Sequence, residues 1–211
     1  MNDRKLLYKN PAALLFLGAV PALGASATVK GALGMSLAVV GVLVLSSLVL
    51  GLLRGLIGEK ARLAAAVLVT AGFASAAQLL LHALLPSAWE MLGVYLAVLA
   101  ADLLLFASAE DALEFGPGKG VLNALLCGLV FAVFTLILAA IRELFGSASF
   151  AGNPVEALEA FKILLLAKFS GGMIVFAILL AIVNAICPAK DAVGALTKAA
   201  AGLAEKKEVE A

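Results

Sequence analysis

Charge is scarce in this chain, and so are the residues that carry most side-chain chemistry. Of 211 residues only 14% are charged, histidine occurs once and the net charge is +1. That balance excludes a nucleic-acid surface, because phosphate affinity is supplied by many lysines and arginines acting together. The two cysteines, Cys127 and Cys187, both lie in apolar surroundings and form no secreted disulfide framework. There is no phosphate-binding loop, no nucleophile with a neighbouring base and no metal-ligand spacing. The chain is therefore expected to be no enzyme on its own and to hold no metal. The basic opening, MNDRKLLYKN, is not followed by a short apolar core with a small-residue cleavage site, so the N-terminus is expected to be the mature one.

What the chain has in abundance is apolar surface. Hydrophobic residues make up 64% of it, and its mean hydropathy is +1.14. Soluble domains are only about 45–50% apolar. The composition implies an all-α integral membrane protein. A membrane-crossing helix needs about 20 apolar residues, and six runs offer them: roughly Pro11 to Ala27, Leu33 to Leu53, Ala61 to Leu85, Met91 to Ala107, Gly120 to Ile141 and Ile163 to Ile186. The first and fourth are the shortest. Lysine and arginine favour the cytoplasmic side. With that side at the N-terminus, most of them, including Arg4, Lys5, Arg54, Lys60, Lys119 and Lys190, fall inside, leaving Lys30, Arg142, Lys162 and Lys168 at the outer side. The sequence thus predicts residues 1–10 and 188–211 in the cytoplasm, flanking a six-helix domain over 11–187.

The runs repeat. The second ends LVLGLLRGLIG around Arg54 and the fifth ends LILAAIRELFG around Arg142, 88 residues later. Each follows a short run and precedes a long one. The reading is two three-helix repeats, about 11–85 and 91–187, and an odd number of spans makes them inverted. Such folds place their working site near the midplane, where discontinuous helices of the two halves meet. FLGAVPALG in the first run supplies a break: Pro21 removes an intrahelical hydrogen bond, while Gly18 and Gly24 permit a bend or a close approach. Its counterpart is YLAVLAADLLLFASAE, Tyr95 to Glu110. Small residues also serve helix packing alone, which is the competing explanation.

Several segments in order resemble the D/E family of membrane proteins from the Nqr and Rnf complexes, closest to its RnfE/NqrD-like branch. They are KNPAALLFLGAVPALG, ALGM at Ala32 to Met35, AAQLLLHAL with Gln78, LGVYLAVLAADLLLFASAE and IRELFG. The resemblance covers about Asn10 to Asn184. It implies an inner-membrane component, bacterial or archaeal, of an ion-translocating electron transport complex, paired with a homologous D/E-type or A-type subunit of opposite topology. Flavin and iron–sulfur centres are expected in partner subunits. The family holds a two-iron two-sulfur cluster between paired subunits on cysteines, whose positions fall here on Val20 and Leu103. Neither side chain has a donor atom, and four thiolates are the usual set, so no cluster is expected in this chain. Val20 and Leu103 are expected to face each other near the midplane.

Asp102 is the one carboxylate well inside an apolar run. It is the candidate for an ion path, because intramembrane carboxylates usually face a cavity or partner; a backbone-bonded aspartate is the alternative. Glu110, Asp111 and Glu114 read as a solvated helix end, His82 and Trp89 as interfacial anchors, Arg54 and Arg142 as snorkelling residues at span ends, and Cys127 as a small buried hydrophobe. Gly18, Gly24, Gly171 and Gly172 are expected to admit neighbouring helices of partners. A small inverted-repeat secondary transporter and a purely structural paralogue are the other functional readings.

Overall fold

The computed structural model describes residues 11–58, 61–84, 86–99, 102–150, 153–154 and 164–186. The segments assigned above to 1–10 and 188–211, together with Cys187, lie outside the described residues. What is described is helical apart from a two-residue antiparallel ribbon, β1 (Ser149–Phe150) with β2 (Asn153–Pro154). The helices are α1 (Pro11–Leu17), α2 (Ala19–Ala25), α3 (Val29–Leu53), α4 (Arg62–Leu84), α5 (Pro86–Leu99), α6 (Leu103–Phe115), α7 (Pro117–Ser147), α8 (Leu164–Ala167) and α9 (Phe169–Ile186). Pro11, Pro86 and Pro117 each occupy the first helical position, where a missing N–H removes no intrahelical bond.

Among the described residues, five stretches are long and apolar enough to cross a membrane: Val29–Leu53, Arg62–Ala83, Leu92–Phe115, Pro117–Ser147 and Phe169–Ile186. The broken pair α1–α2 is not among them. The fifth apolar run extends further than the sequence suggested, because α7 continues to Ser147 and stops only where Ala148 turns left-handed at φ 51°.

The centre of the bundle is the pair α3 and α7, the most extensively packed helices. They are antiparallel. A Cβ placed on Gly128 of α7 would lie 2.9 Å from Val40 of α3, and one on Gly51 of α3 would lie 2.6 Å from Pro117 of α7. Both glycines are buried against the neighbouring backbone, which is how helices pack where no hydrophobic drive is available. The main core gathers around them from every layer: Leu15 of α1, Met35, Val39 and Leu43 of α3, Leu92 and Leu96 of α5, Leu104 and Leu105 of α6, and Phe131 and Leu138 of α7. A second cluster unites Leu50 of α3, Ala66 of α4, and Ala109, Ala112 and Leu113 of α6. The faces turned away from these clusters carry exposed Leu, Val and Ile residues such as Leu37, Leu68, Val94, Val133 and Ile178, the side-chain chemistry that lipid requires.

Three apolar runs are interrupted, two where the sequence placed a break. The first stops at Gly18. Pro21 lacks the N–H that would bond to Leu17 and its ring clashes with that carbonyl, so α1 ends at Leu17 and α2 starts afresh. The fourth run divides between Leu99 and Leu103, with Asp102 extended at φ −75°, ψ 130°. The third break, at Lys168 between α8 and α9, was not expected from the sequence.

Candidate functional site

The two expected breaks meet. A Cβ on Gly18 would lie 2.9 Å from the ring of Phe131 and 3.1 Å from Leu104, the second residue of α6. Phe131, fully buried in α7, therefore lies against the break of the first run and the restart of the fourth at once. Gly24, further along α2, is filled in the same way by Tyr95 of α5, whose ring would be 2.1 Å from an added Cβ. These glycines make room for aromatic rings of the same chain.

A polar node lies at the far end of α2. Arg142 of α7 is 3% exposed. Its Nη1 donates to the Leu23 carbonyl at 3.1 Å and to the Ser26 hydroxyl. Its Nε and Nη2 donate to the carbonyls of Leu166 and Lys168 at 3.3 and 3.2 Å. One guanidinium thus bridges the C-terminal end of α2 and the break after α8, joining the Ser26 hydroxyl as a donor to Leu23 and the Gly172 N–H as a donor to Lys168. The neighbouring Glu143 does the converse: its carboxylate accepts the backbone N–H of Val29 at 2.6 Å, at the start of α3, and the Ser149 hydroxyl at 3.4 Å. Positive charge at helix C-termini and negative charge at an N-terminus both oppose the helix dipole. Arg54, at the C-cap of α3, lies against the Gly116 cap of α6, with Nη1 2.6 Å from where a Cβ would stand.

Several expectations are corrected here. Arg142 is no snorkelling residue; it is buried and bonded to carbonyls, while Arg54 is exposed as expected. Gly171 and Gly172 do not wait for a partner helix: an added Cβ would strike the Leu165 carbonyl at 2.1 Å and the Arg142 guanidinium at 2.7 Å. Asp111 is not solvated but buried, at 6% exposure. Sequence reasoning gave Glu143 no role, although its place beside Arg142 in IRELFG was the available signal.

Asp102 is buried and caps α6, its Oδ1 accepting the Leu104 N–H at 3.2 Å. Val20 points outward, 56% exposed, and the side chain of Leu103 lies outside the described ones. Cys127 is buried in α7 and forms no disulfide among the described residues. His82 and Trp89 lie in contact, their ring centres 4.4 Å apart and their planes tilted by 59°. The donor set does not match a thiolate-held cluster. Val20 and Leu103 carry no donor atom, and among the described residues no three His, Cys, Asp or Glu side chains gather at one point. An apolar groove of about 340 Å³ between α3 and α4 is lined by residues such as Leu37, Gly41, Phe73 and Leu80, with no polar side chain.

A family model described as Rnf-Nqr subunit, membrane protein, matches residues 3–180. The chain is 30% identical over 174 residues to the E-type subunit of the ion-translocating oxidoreductase complex of Pseudomonas paraeruginosa, a match covering 79% of this chain and 72% of that protein. Against Pseudomonas aeruginosa relatives of the same description the match spans about 60% of the relative. It is 28% identical over 182 residues to the E-type subunit of the Na(+)-translocating ferredoxin:NAD(+) oxidoreductase complex of Acetobacterium woodii, covering 86% of this chain and 93% of that one. The corresponding E-type subunit of the proton-translocating ferredoxin:NAD(+) oxidoreductase complex in Clostridium ljungdahlii is 27% identical over 180 residues, covering 85% and 84%.

Proposed function

Because the chain belongs to the Rnf-Nqr family of membrane subunits, we propose that it is an E-type subunit of an ion-translocating ferredoxin:NAD oxidoreductase complex. It works as one half of a pair with a homologous subunit of opposite topology in the cytoplasmic membrane. The observation that carries this reading is the meeting of the two broken runs at Gly18, Phe131 and Leu104, since discontinuous helices are the membrane device for exposing backbone groups to an ion or a neighbour. The outward Val20 on α2 gives the first break a face that a partner can cover.

The two halves are read as inverted three-helix repeats. In support, α3 and α7 start at Val29 and Pro117, the same 88 residues apart as Arg54 and Arg142. Each arginine reaches the end of a broken run in the opposite half. Chain termini are cytoplasmic in this scheme. The chain binds no iron–sulfur cluster, so flavin and iron–sulfur centres belong to partner subunits, and Asp102 borders the ion path. A solute transporter would line its opening with polar side chains, whereas Phe131 and Leu104 are apolar.

Co-purification tests the assembly. Extraction in mild detergent should bring down a homologous membrane subunit with flavin-bearing and iron–sulfur subunits; a chain that purifies alone and binds a solute overturns the reading. Single cysteines at the exposed Lys30 and Lys119, in a background carrying Cys127→Ala and Cys187→Ala, should label from the outer and the cytoplasmic side respectively. Labelling of both from one side defeats the inverted repeat.

A further inference from the structure

We propose that the groove between α3 and α4 binds one acyl chain of an anionic glycerophospholipid from the leaflet on the Lys30 side, with the lipid phosphate held at the Lys30 ammonium. This needs the chain only to span a membrane, so it stands apart from the proposed role in a redox complex.

The groove has the depth of a single leaflet. Its walls run from Gly34 to Leu45 on α3 and from Leu81 back to Phe73 on α4. At about 1.5 Å per residue that stretch of α3 is about 17 Å long, against about 15 Å for half of a bilayer's hydrocarbon core. Past Leu45 the two helices close on each other, with Leu50 of α3 and Ala66 of α4 fully buried in one cluster, so the groove ends inside the membrane. Its volume of about 340 Å³ over that length gives a mean cross-section of about 20 Å². Non-bonded carbon atoms approach to about 3.5–4 Å, so a methylene chain about 4–5 Å across fills such a space. A helix is about 10 Å across and stays outside it.

The lining selects hydrocarbon. No polar side chain faces the groove, so a ligand with polar groups there would lose hydrogen bonds to water and gain none. The rim carries exposed Leu37, Leu45 and Leu80, and Ala38 and Ala77 are half-buried between them. Gly41 keeps the space open: an added Cβ would meet nothing within 4 Å.

The mouth selects charge. Lys30 lies in the first turn of α3, exposed, one turn before Gly34 on the same face. Among the described residues its ammonium forms no ion pair, and its aliphatic stem lets it reach headgroup level. The same end of α4 carries His82 in contact with Trp89, and tryptophan is a residue of that level. A cation over a hydrocarbon slot complements the two ends of an anionic phospholipid. A neutral isoprenoid would leave Lys30 unanswered.

The test uses the assembled complex in nanodiscs containing a trace of phosphatidylglycerol or phosphatidylcholine, each with a photoactivatable diazirine near the end of one acyl chain, and maps the labelled peptides by mass spectrometry. In the wild type, residues 34–45 and 73–81 should be labelled about fivefold more by phosphatidylglycerol than by phosphatidylcholine, and Lys30→Gln should erase that preference. Gly41→Leu, whose side chain fills the open space, should cut labelling of both segments about tenfold, while Gly41→Ala retains it. If Gly41→Leu fails to assemble, Ala76→Leu on the opposite wall gives the same comparison. Val94→Leu, on an exposed face of α5, should be labelled as wild type. Equal labelling by the two lipids in the wild type, or undiminished labelling in both filling variants, overturns the site. So does an isoprenoid quinone that is extracted from the wild-type complex and lost in Gly41→Leu, and so does a benzoylphenylalanine at position 80 that crosslinks to a partner polypeptide in place of lipid. None of these outcomes changes the subunit composition of the complex, which alone decides the proposed function.

Discussion

Glu143 accepts the backbone N–H of Val29 at 2.6 Å, although 114 residues separate them along the chain. Thr28 caps the same helix end, its hydroxyl accepting from Gly31 at 3.1 Å. The start of α3 thus receives one acceptor from its own turn and one from the far end of α7. Hydrogen bonds to charged groups contribute about 1.5–3 kcal/mol, so Glu143→Ala should destabilise the protein by about 2 kcal/mol. Glu143→Gln keeps an acceptor without the charge and should lose roughly half as much. Thermal unfolding in detergent reads both; equal losses would show that the charge contributes nothing.

Arg142 reaches two helix ends because its planar fork carries donors on three nitrogens, and a lysine ammonium is a compact charge that cannot span them. Arg142→Lys should remove the guanidinium bridge between the end of α2 and the break after α8 and destabilise by about 3 kcal/mol. Gly172→Ala should reproduce the defect from the other side, since its Cβ would lie 2.7 Å from the guanidinium carbon. The two changes combined should cost far less than their sum, because they remove one arrangement. Additive losses would separate Gly172 from the node.

The class of fold and the places of two breaks were legible because they rest on local facts: apolar runs of spanning length, and a proline that forbids the bond to Leu17. The family was legible from short segments in order. Burial of Arg142 and Asp111 was not, because both sit near the ends of apolar runs, where solvation is the ordinary expectation. The partners of Arg142 come from α2 and the α8 break, elements distant in sequence or beyond the ribbon. The break at Lys168 was hidden for the same reason: FKILLLAKFSGG reads as the continuous start of a span, and the interruption matches carbonyls that Arg142 collects from another helix.

Ala148 ends α7 in the left-handed region at φ 51°, ψ 36°, with its N–H returning to the Glu143 carbonyl. An L-residue with a Cβ is held there at a penalty of about 1–2 kcal/mol that glycine escapes. Ala148 is also buried, so its methyl contributes some packing. The net effect of Ala148→Gly should be stabilising by about 0.5–1 kcal/mol. A lower melting temperature would mean that the methyl contact outweighs the backbone strain.

Gly18 tests whether the meeting of the two breaks is functional. An added Cβ would stand 2.9 Å from the Phe131 ring and 3.1 Å from Leu104, distances at which neighbours must shift. Phe131 is fully buried and fixed among α1, α3 and α6, so the strain of Gly18→Ala falls on the restart of α6 and on the Asp102 cap beside it. Overpacking of this kind costs about 1–3 kcal/mol, which the assembled complex should survive. Ion translocation per electron transferred should nevertheless fall, measured in vesicles carrying the complex, because the two discontinuous helices no longer hold their relative position. Phe131→Leu opens the space and should restore coupling in the double variant. A stability loss in Gly18→Ala with translocation per electron unchanged would assign Gly18 to packing alone and remove the break from the ion path.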